Sequence, residues 1–380
     1  MVVRNVLPLA AGLLLLAALW LMPDVARSPT VADPGQERWR ATVTEAGERT
    51  DPAGQPLVRV RLAEGERAGH EVDAVVQQPG VALPGAERQR YEVGEEVVVS
   101  AFTGPAGGFV TVDEPWRVPL LTWLAAGFVV AVLLVGGLRG ARSLVALAFT
   151  LLVIGKLLIP LLLAGWQPLP LAIGTAAGVT VVTLLLTEGA RRTTLAAILG
   201  TAAALAVTAV LAHLATEAAR FSSLQGSEEV AFLVVLLGEQ VDLGGMLLAG
   251  TILGALGVLD DVTVTQAAAV AELRAGTPHM PRSAVFARAM AIGRSHIGAT
   301  VNTLVLAYVG ASLPLLLLFA VGESSPLVAI NGELLAVEVV RALAGSIGIV
   351  AAVPLTTVVA ALLVAPATQA ARSEPDLSPS

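Results

Sequence analysis

Residues 250–270 read GTILGALGVLDDVTVTQAAAV, and the pair Asp260–Asp261 interrupts a stretch from Leu243 to Val270 that is otherwise without charge. A carboxylate near the middle of a bilayer-spanning helix costs about 2.5–3.5 kcal/mol on insertion scales, so two in succession imply a purpose. Gly250, Gly254, Gly257, Asp261, Thr265 and Ala268 recur at steps of three and four. They fall on one helical face, and such a face of small residues lets another helix come close. Asp261 is therefore expected against a packed neighbour, with Asp260, about 100° around the helix, at the edge of that interface. Two carboxylates this near each other in a low-dielectric setting do not both ionise cheaply, so the pair is expected to titrate in two separated steps. That behaviour suits a proton relay.

The rest of the chain supplies the membrane this reading needs. Of 380 residues, 55% are hydrophobic and only 14% charged, against about 25% charged in ordinary soluble domains. The mean hydropathy is +0.78. The fold class expected is an all-α polytopic membrane bundle of about eight transmembrane helices with a small extracytoplasmic all-β domain. There is no cysteine, which excludes disulfides, thiolate metal sites and a Cys nucleophile. The four histidines have no metal-ligand spacing, so no metal and no cofactor is expected. No basic cluster suits nucleic acid. No Ser-Lys, paired-metal or HExxH arrangement marks an intramembrane enzyme.

Residues 1–23 carry Arg4 and the apolar run Val6–Met22; they are expected to be a membrane anchor rather than a cleaved signal peptide, since PDVARS is a poor cleavage site. Residues 24–117 alternate apolar and polar positions at Leu57–Leu62, Val72–Val76, Val97–Phe102 and Phe109–Asp113 between Gly and Pro turns. This predicts a five-strand barrel or sandwich of the OB or SH3 kind, with EVGEEVVV turning into a strand. Spans are expected at Val118–Leu138, Ser143–Ala164, Pro168–Thr187, Thr193–Thr216, Asp242–Val270, His296–Val321 and Glu333–Ala365. The first helices thus occupy 118–216, an outer connection 217–241, the Asp helix and two closing helices 242–365, and a tail 366–380. The apolar stretch Val230–Leu237 is too short to span and is expected in the interface.

Arginines set the orientation. Arg4, Arg139, Arg142, Arg191, Arg192, Arg274, Arg282, Arg288, Arg294 and Arg372 fall in alternate connections, whereas Gly165–Gln167 and Gly322–Gly332 have none and Glu217–Val241 has only Arg220. The positive-inside rule puts both termini in the cytoplasm and the β domain outside. The stretch Pro278–Arg294 reads as an amphipathic helix on the cytoplasmic surface.

Lys156 is the one lysine of the chain and sits mid-span in LLVIGKLLIPLLL. Burial readily alters the charge of a lysine, so Lys156 is expected as a counter-ion that holds and releases an aspartate. Glu338 and Arg341 stand at ion-pair spacing. Asn302 and Thr303 are placed to hydrogen-bond toward the Asp helix, alongside Thr265. His296 reads as an interfacial residue, Glu188 and Glu272 as helix-end acids, and Pro160 and Pro354 as kinks.

The runs GALGVLDDVTVTQAAAVAELRAG, ARAMAIGRSHIGATVNTLVLAYVGASLPLLLLF and EVVRALAGSIGIVAAVPLTTVVAALL resemble the YibE/F family of bacterial membrane proteins. Residues 243–364 also resemble the resistance–nodulation–division exporters and the SecD/SecF proteins, through a motif like G-x-x-V-D-D. That likeness implies Asp260 and Asp261 as relay acids in a bacterial inner-membrane protein. The small outer domain and single set of spans imply a homodimer, or a heterodimer with a paralogue. Two functions follow as expectations: a proton-coupled transporter or energy-transducing export protein, or an accessory protein whose β domain binds an extracytoplasmic partner and whose aspartates are structural.

Overall fold

A computed structural model describes residues 2–22, 36–51, 55–65, 67–76, 91–104, 107–221, 242–322 and 325–364. The outer connection with Val230–Leu237 and the tail from 365 lie outside them. The chain divides into two compact units, one of residues 29–134 and the other of residues 1–28 with 135–380.

The first unit holds a closed barrel of five strands, β1 Gln36–Thr50, β2 Pro56–Leu62, β3 Glu71–Val76, β4 Glu96–Gly104 and β5 Gly107–Pro115, in the order β1-β2-β3-β5-β4. β3 and β5 pair parallel and the other pairs are antiparallel, the Greek-key arrangement of OB-type barrels. The four expected runs became β2 to β5. β1 escaped notice because it is rich in charge; only every second residue, Ala41 and Val43 among them, enters the core. Two register breaks, between Val43 and Glu45 and between Ala46 and Arg49, curve it so that it pairs with both β2 and β4. The core is Val43, Val58, Val60, Leu62, Ala74, Val97, Val99 and Val112. At Gly65, with φ +89°, a side chain would strike the Trp39 ring at 2.5 Å, so the turn needs glycine on both counts.

On the barrel surface Arg49 grips Asp73 through two hydrogen bonds of 3.1 and 2.9 Å, and Arg59 Nε donates to the same carboxylate at 3.1 Å. The Arg49 hydrogen bond first, and Arg59 after it, hold Asp73 below the usual carboxylate range. A depressed folded value gives stability that is present above the unfolded value of about 3.9 and is lost as pH falls through the folded one. Acidification below about pH 4 should therefore weaken amide protection in β2 and β3, and Asp73→Asn should remove that dependence. The cluster is solvent-exposed, so the expected loss is under about 1 kcal/mol. Hydrogen exchange of the full protein against pH measures it.

The remaining helices are α1 Val2–Leu21, α2 Val118–Val153, a π turn Ile154–Leu158, α3 Ile159–Leu163, α4 Pro168–Thr187, α5 Arg192–Ala219, α6 Leu243–Gly276, α7 Arg282–Ala311, α8 Leu313–Val321, α9 Pro326–Asn331 and α10 Glu333–Leu363. Among the described residues five helices are long and apolar enough to cross a membrane, or six if α7 and α8, bent by 63°, form one span. Eight had been expected. The difference lies in α1, whose apolar part is only Pro8–Leu21, and in Val118–Leu163, one 46-residue run where two spans were expected. Gly137 breaks that run with φ 52° and ψ −133°, while Arg142, expected in a loop, is buried within the continuing helix.

Helices α5, α6 and α10 form the centre of the bundle, flanked by α4 and α7. The interior mixes large apolar residues, Ile252, Leu259 and Ile349, with small and polar ones, Ala204, Ala255, Ala352, Thr201, Thr208, Thr263, Thr356 and Thr357, all fully buried. Leu195, Leu214, Leu343, Val350 and Leu362 face outward. That partial inversion, with leucines outside and hydroxyls inside, suits a lipid surround, in which small residues let backbones approach. The tightest approaches are Gly200 of α5 on Thr356 of α10 and, two turns away, Gly348 of α10 on Thr208 of α5.

Residues Pro278–Arg294 do not form a separate surface helix. From Arg282 they belong to the continuous α7, which buries Val285, Ala289 and Gly293. The Gln266 amide donates to the Ala289 carbonyl at 2.9 Å and to Thr357 at 2.7 Å, tying α6, α7 and α10 at one level.

Candidate functional site

Asp242 caps α6 by accepting from the Gly245 N–H at 2.9 Å, and the helix then runs unbroken through Asp260 and Asp261. Its buried face is Ile252, Ala255, Leu259, Thr263, Gln266, Ala267 and Val270. This reverses the expected roles of the two acids. Asp260 is the half-buried one and turns toward α4 and α5, whereas Asp261 is exposed. Gly250, Gly254 and Gly257 are exposed as well. Gly257 has no neighbour within 4 Å, and side chains at Gly254 and Gly250 would meet the Tyr308 hydroxyl at 2.7 Å and an Arg341 nitrogen at 3.9 Å. Among the described residues the small-residue face is open at Gly257 and covered at Gly254 by Tyr308. The α6 interior lies about 100° away, on the residues that pack α5 and α10.

The Thr180 hydroxyl of α4 donates to the Asp260 carboxyl at 3.2 and 3.4 Å. Thr201 of α5 reaches the same carboxyl and pairs with the Thr263 hydroxyl at 2.7 Å, while Thr263 donates to the Asp260 carbonyl at 3.1 Å. A hydroxyl has one hydrogen to give. Thr201 thus donates either to Asp260 or to Thr263, and the Thr263 hydrogen turns to match. This is a short chain of rotors ending on a carboxyl group.

One and two turns beyond Asp260, Val264 and Ala268 border a pocket of about 130 Å³ that also holds Glu188, Arg191, Thr194 and Glu272. Asp261 opens instead into a notch of about 80 Å³ between α6, α7 and α10, lined by Thr265, Gln266, His296 and Thr300 among others. The adjacent acids thus differ in setting: Asp260 turns to the Thr180 hydroxyl, whereas Asp261 lines a recess on another flank of the helix.

Lys156 is not brought to the aspartates. Its ammonium donates to the carbonyls of Trp20 at 3.1 Å and Met22 at 3.4 Å and stands 5.4 Å from the Trp20 ring centre. The helices packed closely on α6 are α4, α5, α7 and α10, and Lys156 belongs to the π turn after α2. A cation at the end of a helix meets its unsatisfied carbonyls and the negative end of its dipole. Lys156 therefore fastens α1, whose Gly12 lies so close to Val145 and Leu186 that a side chain there would sit 2.7 and 3.0 Å from them. Hydrogen bonds to charged groups contribute about 1.5–3 kcal/mol, so Lys156→Met should shift α1 docking by about 10-fold or more. Leu19 and Leu157 line one groove, and the chain has no cysteine of its own. Cysteines placed at Leu19 and Leu157 should be joined by a flexible bis-maleimide more readily with Lys156 present than with Met.

Glu338 and Arg341 form the expected intrahelical pair at 2.8 Å. Thr265 is exposed and lines the Asp261 notch. Asn302 and Thr303 are exposed, and the Thr303 hydroxyl bonds back to Ala299, so among the described residues neither hydrogen-bonds to α6. No group of three or more His, Cys, Asp or Glu that could hold a metal occurs among the described residues. Sequence reasoning passed over Thr180, Thr201, Thr263 and Gln266. A signal for one of them was present: Thr194, Thr201 and Thr208 recur every seven residues, two turns apart on one face of α5.

The apolar helices and partly inverted interior define an integral membrane protein carrying a small β-barrel. Residues 124–366 match the model of the YibE/F-like protein family, and the chain belongs to that family. Comparison with curated proteins and with solved structures gave no match.

Proposed function

We propose that this is a proton-coupled membrane protein, a transporter or energy-transducing export component, in which Asp260 and Asp261 carry the proton. The observation that carries the reading is the division of the pair: Asp260 receives the Thr180 hydroxyl inside the bundle, while Asp261 opens to a separate notch. A proton held by Asp260 can exchange along the Thr201–Thr263 hydroxyls, and Asp261 offers a second station one residue away. Gain or loss of charge at Asp260 changes the energy of packing α6 against α4 and α5, which couples the proton to helix position. The likeness of residues 243–364 to the exporters supports the same role for the acids.

In this reading the chain crosses the bacterial inner membrane eight times, counting α1 and the two parts of the run broken at Gly137. Both termini are cytoplasmic and the barrel is outside, as the arginine distribution directs. The exposed face of α6, with glycines at helix-pairing spacing and an acid within it, is where a second copy or a paralogue would pack. No cofactor takes part.

Purified protein in liposomes with an imposed pH gradient tests the proposal. Proton flux that disappears in the Asp260→Asn/Asp261→Asn double variant supports it. Absence of flux from well-folded wild type would sink it in favour of an accessory role for the barrel.

A further inference from the structure

We propose that His296 is the proton-exchange partner of Asp261, passing protons between the notch and the aqueous phase; this deepens the relay reading and rests on it. The placement follows from helix register. The Gln266–Ala289 hydrogen bond and the approach of Tyr308 to Gly254 make α6 and α7 antiparallel. Asp261 lies five residues before Gln266, about 7.5 Å along the axis, and His296 seven after Ala289, about 10.5 Å the same way. The two therefore come nearly level, and both line the same notch of about 80 Å³. The register is held firmly, because a side chain at Gly293, one turn from His296, would meet Val353 of α10 and the Gln266 oxygen.

Among the described residues no charged group besides Asp261 and His296 lines the notch. α10 contributes Ile349 and Val353, α6 contributes Asp261 with neutral Thr265 and Gln266, and α7 contributes His296, Ile297 and Thr300. Arg294 is two residues away, about 200° around the helix, and points off the notch. His296 lines the notch with Asp261 and is also exposed on the outside of the bundle, the two settings between which the proton would pass. The step is a proton transfer: protonated Asp261 gives its proton to neutral imidazole, leaving carboxylate and imidazolium, and the imidazolium releases it to water. A histidine is the side chain whose ordinary titration lies within the physiological range.

Two measurements test this, one of them independent of transport. In liposomes, wild-type flux should show a step in its pH profile that depends on the His296 ring. His296→Gln should lose that step and about 100-fold in rate, and added imidazole should partly restore His296→Ala. In nanodiscs, the ring signal of His296, assigned by its absence from His296→Gln, should titrate differently in Asp261→Asn than in wild type. An unaltered titration curve, or a His296→Gln pH profile identical to wild type, overturns the partnership. If wild type carries no flux while the titration curve does respond to Asp261→Asn, the pairing stands and the relay reading alone falls.

Discussion

Asp260→Asn should lower proton flux by at least about 100-fold while leaving the bundle assembled, the loss expected when a positioned proton-transfer group is removed. The substitution is close to isosteric and keeps the local bonds. The amide oxygen still accepts from Thr180, and the amide nitrogen can donate to Thr201, which then turns its own hydrogen to Thr263. What disappears is the ability to gain and lose a proton. Asp260→Leu is the contrasting variant. It leaves the Thr180 hydroxyl without its acceptor in the interior, a group whose desolvation costs about 1–3 kcal/mol when unsatisfied, so it should be destabilised as well as inactive. Flux at the wild-type rate from Asp260→Asn, in protein of normal thermal stability, would remove Asp260 from the pathway.

Gly200→Leu should produce the largest loss of stability in the bundle. A side chain at Gly200 meets not only the hydroxyl of Thr356 but its Cβ at 2.9 Å and its backbone Cα at 3.1 Å, and backbone cannot step aside as a flexible side chain can. Overpacking of this kind costs typically about 1–3 kcal/mol, and here helices α5 and α10 must separate. The reciprocal site, Gly348 against Thr208, opposes relief by sliding, because a shift that moves Thr356 off position 200 also moves Thr208 off Gly348 and onto a residue with a side chain. Thermal unfolding in detergent should show a clear fall in midpoint for Gly200→Leu. Gly257→Leu, with nothing within 4 Å, should unfold like wild type as a monomer. Equal loss at the two sites would contradict the packing described.

The contrast between these glycines shows where sequence reading reaches its limit. Gly250, Gly254 and Gly257 have helix-pairing spacing, and the spacing alone says they share a face. It does not say whether that face meets a neighbour in the same chain. Gly200 and Gly348 make closer approaches, because each opposes a threonine on another helix, a relation that no local period records. The membrane class, the barrel and α6 with its acids were legible from composition, alternation and the cost of buried charge. The roles of Asp260 and Asp261 came out exchanged, because a 100° rotation decides between interior and surface while the apolar pattern around them is nearly uniform. Lys156 was recognised as unusual, but its partners are carbonyls more than 130 residues earlier.

The π turn at Ile154–Leu158 has an explanation in its own sequence. Pro160 has no N–H to offer the carbonyl four residues back, that of Lys156, and just before it the Ile159 N–H bonds to Ile154, five residues back. Relative to a regular helix the segment contains one surplus residue, and that surplus rotates everything on one side of it by about 100° relative to the other. The turn thus works as an insertion absorbed without a loop. Removing a single residue, Gly155 for instance, leaves a chain able to form an ordinary helix, yet swings the lysine away from Trp20 and Met22. For this span, length counted in residues is a weaker constraint than phase, and a one-residue deletion is a more drastic change than most substitutions within it.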